Sequence, residues 1–154
     1  YPSSQWRDDA QYKIGESYFE QSRRAELDQS ETYQALSAYR RFLEDNPGSP
    51  LVADARDCIA ESRGRLAKKQ YLAGRLYHRQ GHLGAARITY KELLNAYSQT
   101  SWYWHGLAQL GLIARSQGES EEARGHWQEV LQGDTEDEDL LADVRKWIAE
   151  LDAE

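Results

Sequence analysis

The stretch "GRLYHRQGHLGAARITYKELL", Gly74 to Leu94, lies over "GLIARSQGESEEARGHWQEVL", Gly111 to Leu131, at one constant offset. Gly74 matches Gly111, Gly81 matches Gly118, Ala86 matches Ala123, Tyr90 matches Trp127 and Leu94 matches Leu131. Physically this is a helix pair written twice. Gly74 or Gly111 on the first helix and Ala86 or Ala123 on the second lack bulk, so two backbones can approach closely. Gly81 and Gly118 end the first helix, because glycine takes the left-handed conformation cheaply. Tyr90 and Trp127 are then expected to fill the wedge towards the next pair.

Working outward, the joints between pairs repeat as well. "YPSSQWRDDAQYKIG" and "YSQTSWYWHGLAQLG" share Tyr1 with Tyr97, Trp6 with Trp102 and Gly15 with Gly111, and "NPGSPL" (Asn46 to Leu51) is a third joint. Ser4, Ser49 and Thr100 are placed to cap the helices that follow, by accepting hydrogen bonds from their free N–H groups. The aromatic cluster in "NAYSQTSWYWHG", Asn95 to Gly106, is therefore read as a helix-to-helix joint, with Trp102 largely buried and Tyr103 or Trp104 more exposed. The first copy uses Gly15, Ala35, Tyr39, Phe42 and Leu43 in the same roles, with a longer polar turn, "EQSRRAELDQSE".

This pattern resembles the tetratricopeptide repeat, a helix pair of about 34 residues. The expected fold is all-α: a tetratricopeptide superhelix (an α-solenoid) of seven antiparallel helices forming a single domain over residues 1–154. Its repeats cover about 4–46, 50–97 and 100–132. A capping helix follows at about 136–152, with Thr135 and Glu138 as a capping box and Leu140, Leu141, Val144, Trp147, Ile148 and Leu151 on its apolar face. In the middle repeat, Leu51, Ala55, Cys58, Ile59, Ser62, Leu66, Ala73 and Tyr77 keep helical spacing past Gly64. That predicts one helix from Pro50 to Gln80, about 30 residues and roughly 45 Å long. Cys58 falls in this apolar stripe as a small buried hydrophobe.

Charge is unevenly spread behind a net −7. Residues 1–50 carry six basic and nine acidic side chains, residues 51–100 nine and four, and residues 101–154 four and thirteen. An acidic whole argues against nucleic acid as a partner, while the basic middle argues for one specific anionic contact. No apolar run is long enough to span a membrane as a helix. The lack of any methionine, even at position 1, is expected of a processed or excised piece.

"YPSS", "AYRRFLEDNPGSP", "RLAKKQYLAGRLYHRQGHLGAARITYKELLNAYSQT" and the long helix together resemble the BamD family, the tetratricopeptide lipoproteins of the bacterial outer-membrane β-barrel assembly machinery. The resemblance covers residues 1 to 132, and Arg65-Leu66-Ala67-Lys68 followed by Tyr71, Tyr77 and Ala86 is its most specific part. It matches the last three of the family's five repeats, with Ser98 where the family usually has proline and without the lipidated cysteine. The resemblance implies a periplasmic scaffold at the outer membrane, held there by a lipid anchor outside these residues. Its implied partners are the POTRA domains of the barrel subunit, accessory lipoproteins and unfolded outer-membrane proteins. The alternative is another tetratricopeptide adaptor of the cell envelope, Tol-associated or part of a secretion apparatus.

Catalytic chemistry finds no support in the residues. His78 and His82 stand four apart, but Gly81 ends the helix between them and no cysteine or carboxylate cluster joins them. There is no Ser-His-Asp or Cys-His spacing and no phosphate-cradling glycine loop, so no enzyme activity, metal or cofactor is expected. Paired carboxylates such as Asp8-Asp9 sit on capping turns, where negative charge favours helix N-termini. In helix-pair solenoids the first helix of each pair lines the concave groove. By spacing, the candidate protein-binding residues are Tyr12, Glu16 and Phe19; then Lys68, Tyr71, Arg75, His78 and Arg79; then His105, Leu112 and Arg115.

Overall fold

A computed structural model describes residues 5–22 and 27–153. Seven helices account for most of them: α1 (Gln5–Gln21), α2 (Ser30–Asp45), α3 (Val52–Arg79), α4 (Leu83–Ala96), α5 (Trp102–Ser116), α6 (Ser120–Gln132) and α7 (Glu138–Asp152). No strand occurs among the described residues. Tyr1 and Ser4 of the first joint, and part of the long polar turn, lie outside them. The fold is the expected all-α helix-pair repeat. Compact packing divides it into two units between Lys69 and Gln70, inside α3.

Helix α3 runs for 28 residues without a break at Gly64. Ala55, Ser62, Leu66, Ala67, Tyr71 and Gly74 are buried along it, so the apolar stripe continues across the glycine. An isolated glycine costs a helix only about 1 kcal/mol, which a continuous buried stripe outweighs. The helix stops at Gly81 (φ 78°), where Gly81 N–H donates to the His78 carbonyl and His82 N–H to that of Tyr77. Gly118 (φ 79°) ends α5 identically, with Gly118 bonded to Arg115 and Glu119 to Ala114. Both bonds of this pattern satisfy carbonyls that the helix end would leave orphaned.

In the first unit, α1 packs on α2 through Ala35, Tyr39 and Phe42, all buried, with Ala55 closing the core. In the second unit, α4 packs on α5, α5 on α6 and α6 on α7. Its core joins Leu107, Ala108, Ala114, Ala123, Trp127 and Val130 to Leu140, Val144 and Leu151 of α7. The capping helix is amphipathic as expected, and Arg115–Glu150 (2.9 Å) and Arg124–Asp152 (2.5 Å) tie it down at its margin.

Each repeat sets one ring over one glycine. A Cβ on Gly15 would fall 2.8 Å from the Tyr39 ring, and one on Gly74 would fall 2.6 Å from that of Tyr90. On Gly111 it would fall 2.7 Å from Cδ1 of Trp127. Each ring lies on the glycine of its own pair, and Trp127 also reaches towards the following helix, as the spacing predicts. Trp127 is fully buried, donates from Nε1 to the Ala108 carbonyl (3.1 Å), and meets Trp147 of α7 at 5.8 Å.

Three local expectations are corrected. Trp102 is half-buried, as are Tyr103 and Trp104, so the fully buried tryptophan is Trp127. Thr100 does not cap α5: its hydroxyl turns back and donates to the Tyr97 carbonyl. Helix α7 starts later than the Thr135–Glu138 box implies, and its cap is Asp137, which accepts from Leu140 N–H at 3.0 Å. Ser49 behaves as expected, accepting from Leu51 N–H at 3.3 Å before α3 begins.

Candidate protein-binding site

The long helix delivers Tyr71 to the second unit, where Trp102 and His105 of α5 and Tyr90 of α4 surround it. Ring centroids lie 5.1 Å from Trp102, 5.8 Å from His105 and 5.9 Å from Tyr90. Trp102 and His105 also stack on each other at 5.2 Å. The spacing of Trp102 and His105, three apart on one helix, brings both rings to the same face. Only 8% of Tyr71 is exposed, and burial raises its phenol pKa against the lowering effects of Arg75 and Gln109. Burial likewise pushes up the Tyr90 phenol, whose oxygen is buried without a hydrogen-bond partner among the described residues.

Two charges border this cluster. The Arg75 guanidinium stands 6.0 Å from the Tyr71 ring centroid, within cation–π range. His105 Nε2 lies 3.2 Å from Asp137 Oδ2, while Asp137 Oδ1 caps α7. The imidazole is therefore connected to the start of the capping helix. Its pKa is lowered from the ordinary 6.5, because burial outweighs the opposing pull of Asp137.

That balance has a sign that can be checked. A depressed folded pKa means the folded state resists taking up the proton that the unfolded chain accepts near 6.5. The associated stability is present above that pH and is lost as pH falls through the folded value. His105→Gln is expected to flatten the fall in unfolding free energy on acidification from about pH 7. An imidazole resonance of His105 titrating above 6.5 in an NMR pH series would contradict the sign.

The sequence-predicted residues separate into groups. Tyr71, Arg75 and His105 come together. His78 is half-buried and Arg79 exposed near the end of α3, one turn on from Arg75. Arg115 is occupied by Glu150 of the capping helix. In the first unit, Tyr12 packs against Tyr39 at 5.4 Å and Phe42 at 5.6 Å, and its phenol is pushed up to about 12 by burial and then by Cys58. Phe19 meets Tyr39 at 6.4 Å and carries the Arg65 guanidinium 4.4 Å above its ring. Both rings are thus engaged in the seam between α1 and α2. Lys68 is half-buried on α3. Spacing missed Trp102 and Asp137 as members of the cluster. The three-residue step to His105 could have revealed Trp102; nothing local marks Asp137.

Among the described residues no group of three or more His, Cys, Asp or Glu side chains could hold a metal ion. No described helix is long and apolar enough to cross a membrane. The sequence matches the family YfiO, described as outer membrane lipoprotein, over residues 1–129. It is also similar to the outer membrane protein assembly factor BamD of Caulobacter vibrioides, with 32% identity over 123 residues. That alignment takes in 80% of this chain and 39% of the relative, so the chain spans well under half of that protein's length.

Proposed function

This chain belongs to the outer membrane lipoprotein family YfiO, and we propose that it is a non-catalytic protein–protein interaction scaffold in outer-membrane protein assembly. It works at the periplasmic face of the outer membrane, docking the POTRA domains of the barrel subunit and accessory lipoproteins. Unfolded outer-membrane proteins are a further partner class. The observation that supports this reading is the end of α3 in the second unit. Arg75 and Arg79 are exposed there and make no ion pair among the described residues, beside a Tyr71 ring fixed by three neighbours. Uncompensated cations on a helix end that the buried Tyr71 ring holds in place suit an acidic partner surface, because the backbone carrying them is already ordered before docking.

Reversing both charges, Arg75→Glu with Arg79→Glu, should weaken affinity for the POTRA domains by about tenfold or more at low salt. Exposed charges act mainly on association rate and are screened, so the difference should shrink as salt rises. Circular dichroism should be unchanged, since both side chains are exposed. Equal affinities for wild type and variant at both salts would take this face out of the binding surface.

A further inference from the structure

The acidic C-terminal third contains a cleft of a different character. Within the second unit the α4–α5 joint and the α6–α7 joint bound a space of about 430 Å³. Ser98 to Ser101 line it from the first joint, Asp134 to Asp137 from the second, and Trp104 contributes its ring. That ring is held in place. Tyr103 meets it edge-on at 4.9 Å, and the backbone of Gly133 passes so close that a Cβ there would come within 2.7 Å of Cζ2. Being only half-buried, the indole keeps part of its surface for the cleft.

The polar groups are divided between committed and uncommitted. Asp137 is committed, to Leu140 N–H and to His105. Asp134 and Glu136 are exposed and make no hydrogen bond or ion pair among the described residues; the same holds for the side chains of Ser98, Gln99 and Ser101. No lysine or arginine lines the cleft. Of the other cations of this unit, Arg115 and Lys146 pair with Glu150 and Arg124 with Asp152, at the C-terminal end of α7 and away from the cleft. The two carboxylates therefore stand beside an aromatic side chain with no counter-charge among the described residues.

We infer that this cleft takes an arginine or lysine side chain presented by an extended basic segment of a protein partner. The cation pairs with Asp134 and Glu136, and its flat guanidinium or alkyl stem lies on Trp104. Ser98, Gln99 and Ser101 offer hydrogen bonds to the backbone of the same segment. The acidic surroundings raise the local concentration of such a segment before contact. This site is independent of the basic end of α3 and opposite to it in charge.

The test uses the peptide Gly-Arg-Gly-Arg-Gly with the whole chain, followed by fluorescence polarisation and by amide and indole NMR shifts. Binding should move the Trp104 indole N–H together with the amides of Ser98–Ser101 and Asp134–Asp137, and glutamine in place of arginine should abolish it. Asp134→Asn with Glu136→Gln should weaken binding at least fivefold. Asp139→Asn with Asp143→Asn, the same charge change on α7, should leave it within twofold. Both pairs of side chains are exposed, so folding is not at stake. Equal weakening by the two double variants, or shifts spread over all the acidic helices, would reduce the effect to general charge attraction and overturn the proposal. An absence of binding would overturn it outright.

Discussion

Trp127→Ala is expected to lower the unfolding free energy by about 3–5 kcal/mol, the range for a buried large aromatic reduced to a methyl group. No part of this side chain is exposed, so the substitution leaves a cavity rather than a dent in the surface. It also removes the Nε1 hydrogen bond to Ala108 on α5 and the ring contact with Trp147 on α7. Three helices lose a shared neighbour at once. For a chain of this length the thermal midpoint should fall by roughly 10 °C. Trp102→Ala should cost less, because that side chain is not fully buried and can be partly replaced by water. A midpoint for Trp127→Ala within a degree of wild type, or a larger loss for Trp102→Ala, would show that the core of the second unit is placed wrongly.

Gly111→Ala carries the second large effect, and its direction opposes helix propensity. Alanine favours a helix interior over glycine by about 1 kcal/mol. Here the new methyl would sit 2.7 Å from Cδ1 of Trp127, well inside contact distance. The ring cannot withdraw freely, being held by Ala108 and backed by Trp147. Overpacking of this kind costs about 1–3 kcal/mol and outweighs the propensity gain. Gly64→Ala is the internal control: it too lies mid-helix, yet nothing stands within 4 Å of its added Cβ. That substitution should stabilise by about 0.5–1 kcal/mol. Opposite signs for the two variants in urea unfolding are the expected result; a gain in both would mean that the Trp127 ring is loosely held.

Features governed by local backbone chemistry were legible in the sequence. Gly81 and Gly118 could be placed because a positive φ favours one residue type, and α3 could be carried past Gly64 because its buried positions kept their period. Features decided by packing between helices were less so. Helix α1 spreads its apolar residues around its circumference, with Trp6, Ile14 and Tyr18 exposed while Tyr12 and Phe19 turn to α2. Its spacing alone therefore cannot say which face is the seam: it points Tyr12 and Phe19 into an open groove, whereas the structure packs both against Tyr39 of α2. At the α7 joint, Thr135, Asp137 and Glu138 all suit a helix start. The structure chooses Asp137, the one acid in that run that also reaches His105. Of the candidate site, Tyr71, Arg75 and His105 were found by their spacing. Asp137, far from them in the chain, joins them only through the fold.

The ring set over a glycine has a consequence for how these repeats can diverge. Gly15 with Tyr39, Gly74 with Tyr90 and Gly111 with Trp127 are three instances of one steric bargain, in which a side chain on one helix occupies the volume its partner gives up. Neither member can drift alone, because a larger residue at the glycine strikes the ring, and a smaller residue at the ring leaves a hole. The pair is thus the unit of inheritance in this architecture. In related chains, loss of the glycine should appear with a shrunken partner twenty-four residues on in the first pair and sixteen residues on in the other two, a paired change detectable in sequences alone.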